Sequence, residues 1–272
     1  MRTGQMYNGP IYCMAVGGYC AAYTVRDLGW PFGLALIAGV ALSALFGLLP
    51  ALGLARVYGL PIAVASIALI FIIQSVIRNL DFLGGAGGFW HIPEVKHLLP
   101  ITYGILLIVG FFIFRIDHSR FGRAMEVVLV SRNVAANLGI NFTRLSILLQ
   151  VISCAIGGLA GVIYAFTLGT IFPETYGFTM LVYVWNMLFL GGRYTMWGAV
   201  VAAPIIWGLP QWLPQSIAVY STIFYGALLV IVILLRPQGF ITRDLVRSVS
   251  TVTRVWVRHV GFGQAGARKE VS

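Results

Sequence analysis

The chain has 272 residues, of which 59% are hydrophobic and only 10% are charged, and its mean hydropathy is +0.91. This composition excludes an ordinary soluble globular domain and predicts a membrane protein. The formal net charge of +10 would suit nucleic-acid binding, but the basic residues are distributed as a membrane topology requires.

Long apolar runs recur along the chain, each close to the span of about 20 residues that crosses a bilayer. We therefore predict an all-α polytopic membrane protein with about eight transmembrane segments, some of them broken or re-entrant. The predicted segments are Gln5–Val25, Trp30–Leu54, Leu60–Ile77, Leu98–Phe114, Leu145–Leu168, Gly177–Leu190, Trp197–Leu213 and Val219–Leu235. Residues 1–240 form one predicted membrane domain, and residues 241–272 form a basic cytoplasmic tail.

The charges of the connecting loops predict the orientation. With the N-terminus in the cytoplasm and eight alternating segments, both termini lie inside, and 15 of the 18 Lys and Arg residues fall on that side. Only Arg26, Arg78 and Lys96 fall outside. An excess of basic residues on the cytoplasmic side is typical of membrane proteins, so the positive charge indicates topology and not a nucleic-acid partner.

The first predicted segment contains two helix-perturbing pairs, Gly9-Pro10 and Gly17-Gly18. We expect this segment to be broken or closely packed, and to line the protein interior, because irregular backbone in a bilayer must be covered. The outer loop Arg78–His97 carries a glycine-rich run, Gly84–Gly88. Since the lysine and hydroxyl residue of a phosphate-binding loop are absent, the run predicts a flexible external loop.

A polar interval, Arg115–Arg144, interrupts the apolar pattern and holds five arginines. Its centre, Ser131–Asn141, predicts a short amphipathic helix that Gly139 ends. A polar interval of this kind is typical of a membrane protein that a soluble partner protein binds. The partner predicted here is a motor protein, because the sequence contains no motor of its own.

Small residues recur every four positions along the fifth segment, at Ser153, Gly157, Gly161, Ala165 and Gly169. Such a strip allows another helix backbone to approach closely. The strip alone leaves open whether that helix belongs to this chain or to another subunit. Farther along, Gly177–Leu213 is interrupted by glycines and prolines, a pattern that often borders a transport path.

The predicted segments contain no charged residue near a bilayer centre, which argues against a proton-coupled carrier. The histidines are scattered, so the sequence predicts neither a catalytic nor a metal site. Uncharged polar residues remain inside the segments, and Asn8, Gln74 and Asn186 are the candidates for lining a solute path. For each of them we favour the alternative of a hydrogen bond to a neighbouring helix.

The sequence resembles the permease subunits of branched-chain amino-acid ABC importers over most of its length. The resemblance is carried by Gly4-Gln5 with Gly17–Ala22, by Arg56–Ala63, by Ser119–Ala124 with Arg132–Asn141, by Gly157–Gly161 with Leu190–Gly192 and Trp197-Gly198, and by Arg236–Phe240. Family members usually have an apolar helix before the position of Gly4-Gln5. We therefore expect this chain to be short at its N-terminus or a fragment.

The resemblance implies an ABC-importer permease architecture in the bacterial inner membrane and a coupling segment that fits a groove of an ATPase. The implied coupling residues are Arg132, Asn133, Val134, Ala135, Ala136, Leu138, Gly139 and Asn141. The implied partners are two cytoplasmic ATPase subunits that bind ATP and Mg²⁺, a second related permease, a periplasmic solute-binding protein and membrane lipid. This chain itself is expected to be a transport subunit without a cofactor.

Three alternatives stay open at this stage. An importer of urea or short amides in the same family would share every quoted motif. An ion-coupled secondary carrier would move solute without ATP, and the lack of intramembrane charge argues against it. A truncated and inactive remnant would assemble with no partner.

Overall fold

The computed structural model describes residues 7–55, 57, 59–192, 196–212 and 225–228, together with positions 230 and 234. Over these residues the fold is helical, with a single isolated β-bridge between Phe89 and Ile171. The helices are α1 (Gly9–Arg26), α2 (Phe32–Leu54), α3 (Leu60–Arg78), α4 (Leu98–Asp117), α5 (Arg120–Val130), α6 (Arg132–Asn137), α7 (Phe142–Leu168), α8 (Phe178–Gly191) and α9 (Met196–Trp212). The chain forms two compact units, Met1–Leu181 and Val182–Ser272.

Four of the described helices, α2, α3, α4 and α7, are long and apolar enough to cross a membrane. The stretches Phe178–Gly191 and Gly198–Gly208 are apolar but shorter. Of the eighth predicted segment only residues 225–228, 230 and 234 are described, and they are helical. The predictions for Gly4-Gln5, for Arg236–Phe240 and for the basic tail lie outside the described residues.

The first segment is one continuous helix and is not broken at its glycines. Pro10 lies in the first turn of α1. Backbone N–H groups there have no acceptor within the helix, so a proline removes no helical hydrogen bond. Gly17 and Gly18 lie instead at contacts with the neighbouring helices. A Cβ added to Gly17 would lie 2.7 Å from Cα of Gly158. The two glycines therefore serve close packing, the other outcome that the sequence allowed.

The core of the first unit is a cluster of three helices, α1, α2 and α7. Helix α1 runs parallel to α7, since Pro10 contacts Gly157 and Met14 contacts Gly161. Helix α2 runs antiparallel to both. Most of α1 is buried, and α3 packs on its free side. The helix that the sequence expected to line the interior is thus the central helix of this unit.

The segments that follow α1, α3 and α7 meet at one end of this unit. Phe89 and Ile171 exchange backbone hydrogen bonds of 2.8 and 3.0 Å. The Arg26 guanidinium donates to the carbonyl oxygen of Trp90 at 3.1 Å and lies 3.5 Å from the centre of the Phe89 ring. We call this end the outer end, after the orientation that the loop charges predict.

The side chains of Asn186 and Tyr225 make three hydrogen bonds in the described part of the second unit. The Asn186 side chain donates to the carbonyl oxygens of Val182 and Tyr225 at 2.9 and 3.1 Å. The Tyr225 hydroxyl donates to the carbonyl oxygen of Ile206 at 2.7 Å. These bonds join separate parts of the unit across apolar surroundings, where a hydrogen bond has no competition from water.

Candidate functional site

The polar interval between α4 and α7 folds as two short helices, α5 and α6. Helix α6 is the short helix that the sequence predicts within Ser131–Asn141, and α5 is an additional helix before it. Ser119 caps α5, its side chain accepting from the N–H of Phe121 at 3.1 Å. Ser131 caps α6 in the same way, accepting from Val134 at 3.5 Å. Because Ser131 itself is extended, the chain turns there between the two helices. We call residues 120–141 the coupling segment, after the role that the resemblance of the sequence predicts for its second half.

Gly139 closes α6 in a two-bond cap. Its N–H donates to the carbonyl oxygen of Ala136 at 2.9 Å, and the N–H of Ile140 donates to that of Ala135 at 3.0 Å. This is the Schellman arrangement, which needs a residue of positive φ after the helix, and Gly139 has a φ of +74°. Ile140 also packs against the cluster that contains Ala135, so the cap has its usual hydrophobic contact.

The coupling segment has a small hydrophobic core of its own. Met125 and Val128 from α5, Ala135 from α6 and Leu145 from α7 are all buried in it. Ala135 therefore faces the chain and not a partner. The core joins both short helices to the base of α7, so that they are fixed to a membrane helix.

Arg132 and Asn141 also contact the chain itself. The Arg132 guanidinium lies 3.7 Å from the centre of the Phe142 ring, which is a cation–π contact between α6 and α7. The Asn141 side chain accepts from the N–H of Arg144 at 3.2 Å and caps α7. The sequence identified both residues but not these roles, although asparagine before an apolar run is a recognised cap signal.

The remaining predicted coupling residues are exposed: Asn133, Val134, Ala136, Leu138 and Gly139. Val134 is 51% exposed and Leu138 is 65% exposed. Val130, which the sequence did not single out, is 87% exposed and ends α5, on the other side of the turn at Ser131. An apolar group of this kind on a polar loop indicates a surface for another protein. We call Val134 and Leu138, which lie one turn apart in α6 and its cap, the docking face.

The cap at Gly139 gives a first testable prediction. Gly139→Pro removes a donated hydrogen bond and cannot reach positive φ, so it should cost the α6 end roughly 1–3 kcal/mol of local stability. Hydrogen exchange of residues 132–140 is expected to accelerate accordingly. Gly139→Asn is the matched control, because asparagine tolerates this conformation. Equal exchange in the two variants would show that the cap does not hold the segment.

The strip of small residues on α7 packs against α1 of the same chain, which resolves the open question about its partner. A Cβ added to Gly157 would lie 2.7 Å from Cα of Pro10, and one added to Gly161 would lie 2.7 Å from the carbonyl carbon of Met14. Ala165 is buried farther along, and Ser153 is half-buried. The helices thus touch backbone to backbone.

The three candidate path residues have different surroundings. Asn8 is bound to α3, since its backbone and side-chain nitrogens lie 3.1 and 3.2 Å from Oγ of Ser66. Asn186 is 1% exposed and makes the two bonds described above. Gln74 is half-buried, and a Cβ added to Gly177 would lie 3.2 Å from its Nε2. Asn8 and Asn186 thus follow the favoured alternative of bonding between helices.

The outer end carries an ion pair between distant parts of the chain. Arg78, at the end of α3, pairs with Glu174 in the 3-10 helix Pro173–Tyr176. Two residues after Glu174 in this helix, Tyr176 is buried between the rings of Tyr19 and Tyr164, at centroid distances of 6.1 and 6.0 Å. Burial raises the pKa of Tyr176 well above 10, so its hydroxyl is neutral.

Comparison with known protein families gives one family match. The model of the family "Branched-chain amino acid transport system / permease component" matches residues 11–233. This range includes α2–α9 and most of α1. It therefore covers both the coupling segment and the outer end.

Several curated proteins are similar to this chain. The high-affinity branched-chain amino acid transport system permease protein LivM of Salmonella typhimurium is 25% identical over 269 residues, covering 84% of this chain and 63% of that protein. LivM of Escherichia coli K12 is 28% identical over 156 residues, and LivH of the same strain is 30% identical over 151. Those matches cover 57% and 55% of this chain, and 36% and 47% of the relatives. The chain thus spans less than two thirds of each relative. No solved structure matches it significantly.

Proposed function

Because the chain belongs to the family of branched-chain amino acid transport permease components, we propose that it is the membrane-spanning subunit of an ATP-driven importer of branched-chain amino acids. The observation that carries the proposal is the docking face on a capped segment whose own core joins it to α7. A transport subunit that is driven by a separate ATPase needs such a surface, rigidly joined to a membrane helix.

The proposed location is the bacterial inner membrane, with the coupling segment in the cytoplasm. The charges of the two ends support this orientation. The interval from residue 115 to residue 144 has five arginines against two acids, Asp117 and Glu126. The outer connections have three basic residues, Arg26, Arg78 and Lys96, against four acids, Asp27, Asp81, Glu94 and Glu174. Basic excess on the cytoplasmic side is the common rule.

The proposed assembly contains this chain, a second related permease, two ATPases and a periplasmic solute-binding protein. Val134 and Leu138 would fill an apolar groove of one ATPase, with Asn133 and Ala136 beside them. ATP and Mg²⁺ would bind the ATPases, and this chain would bind neither. Basic residues near the membrane, such as Arg120 and Arg123, would also contact anionic lipid.

In the proposed mechanism, a movement of the docking face is transmitted to the outer end through the packed helices α5, α6, α7 and α1. Closure of the ATPases would displace α5 and α6. Their shared core with Leu145 and the contact of Arg132 with Phe142 would transmit that displacement to α7. The backbone contacts between α7 and α1 leave little room for independent movement. The two helices would therefore move together and change access at the outer end.

The solute class is tested with purified binding proteins. The transporter is reconstituted in proteoliposomes, and ATP hydrolysis is measured with a leucine-loaded binding protein and, separately, with a urea-loaded one. Several-fold stimulation by the leucine-loaded protein alone is the expected result. Stimulation by the urea-loaded protein alone would keep the import role but replace the solute class, and no stimulation by either would contradict the proposed function.

A further inference from the structure

The 3-10 helix Pro173–Tyr176 lies over the outer ends of α1 and α3. Two contacts fix it there. Tyr176 is buried beside Tyr19 of α1, and Glu174 pairs with Arg78 of α3, 96 residues away in sequence. We call this helix with its Arg78–Glu174 pair the outer latch. The latch covers the outer ends of α1 and α3, and the contacts that fix it there are noncovalent.

The ion pair of the latch is easily exchanged. The side chains of Arg78 and Glu174 are 47% and 51% exposed, so water reaches both groups. Ion pairs exposed to this degree contribute little to stability. A solute that carries both a carboxylate and an ammonium group can replace each partner at once, the carboxylate at Arg78 and the ammonium at Glu174. The exchange leaves no charge unpaired, whereas a singly charged solute would leave one.

Polar groups lie directly beneath the pair. Gln74 precedes Arg78 by one turn of α3, on the same face of the helix, and its amide lies against Gly177. Deeper still, the Tyr176 hydroxyl is buried and makes no hydrogen bond to any described residue. A buried hydroxyl without a hydrogen-bond partner is destabilising, so the closed latch has a cost that opening would relieve.

We propose that Arg78 and Glu174 form an outer subsite for a zwitterionic amino acid, which opens the latch by taking the place of their ion pair. The proposal rests on the proposed import of amino acids and adds the residues that receive the solute. In the open state the 3-10 helix separates from α3, Gln74 becomes accessible from outside, and the Tyr176 hydroxyl reaches water or solute.

The test measures access to residue 74. In the complete transporter in proteoliposomes, Gln74→Cys is labelled with a membrane-impermeant maleimide, and peptide mass spectrometry quantifies that site separately from the native cysteines. Glu174→Gln is expected to raise the labelling rate roughly twofold to fivefold, the effect of removing an exposed ion pair. Asp27→Asn is the matched control, because its pair with Arg26 joins neighbouring residues of one segment. Equal rates in the parent and in Glu174→Gln would overturn the latch.

Ligands separate the subsite from a simple latch. Free leucine is expected to raise the labelling rate of the parent, while 4-methylpentanoate and 3-methylbutylamine, each with one of its two charges, do not. Glu174→Gln should no longer respond to leucine. The double variant Arg78→Glu with Glu174→Arg restores both charges and should regain the slow rate and the response. An equal response to all three ligands, or none to leucine, would overturn the subsite.

The outcome is independent of the test of the proposed function. Labelling needs neither ATP hydrolysis nor a binding protein, so a leucine response without ATP-driven uptake would keep the subsite and reject the import role. ATP-driven uptake without a leucine response would keep the import role and reject the subsite.

Discussion

Leu138→Glu is expected to reduce ATP-driven leucine uptake roughly tenfold or more, while the chain itself still accumulates in the membrane. Leu138 is 65% exposed and makes part of the docking face. Placed in an apolar groove of an ATPase, a carboxylate there would lose its hydration without gaining a partner. Burying an unpaired carboxylate costs roughly 2 kcal/mol or more, and each 1.4 kcal/mol is about tenfold.

The matched control for this prediction is Leu138→Met, which keeps an apolar side chain of similar size at the same position. Uptake of radiolabelled leucine and co-purification with the ATPases are measured for both variants. The glutamate variant should lose both leucine uptake and co-purification with the ATPases, and the methionine variant should retain both. If the glutamate variant keeps normal uptake, the exposed side of α6 is not where the ATPase binds.

Gly161→Leu is expected to destabilise the first unit by roughly 1–3 kcal/mol or to prevent its accumulation. A Cβ at this position meets the backbone of Met14, which cannot move aside as a flexible side chain would. The helices α1 and α7 must then separate, and the contacts of α2 with both are lost. Thermal unfolding in detergent, followed by size-exclusion chromatography, measures the effect.

Gly104→Leu provides the comparison, since it makes the same change in a membrane helix where an added Cβ meets nothing within 4 Å. That variant should unfold at the parent temperature. If the two leucine variants were equally stable, α1 and α7 would not be in backbone contact, and the proposed transmission from the coupling segment would lose its central step.

Local signals in the sequence predicted much of the fold. Apolar length placed α2, α3 and α7 within a few residues, because the bilayer sets the length of a spanning helix. Gly139 could be recognised as a helix end, since few other residues tolerate its conformation. The four-residue spacing of Gly157 and Gly161 predicted a close helix contact for a similar reason.

Contacts between distant residues could not be predicted in this way. The partner of the α7 strip is α1, and a single sequence contains no signal that joins Met14 to Gly161. The same holds for Arg78 and Glu174. Arg132 was expected to meet a partner protein, but the aromatic face of Phe142, ten residues later, holds its guanidinium. Exposure likewise depends on the tertiary structure, and for that reason Ala135 and Ala136 could not be told apart.

The most direct test of the proposed function is leucine accumulation by proteoliposomes that contain the complete transporter, with binding protein outside and ATP supplied to the ATPases, while ionophores remove all ion gradients. The account predicts accumulation against a concentration gradient that stops when a non-hydrolysable ATP analogue replaces ATP. Accumulation that requires an ion gradient and persists without ATP would contradict it and identify the chain as a secondary carrier.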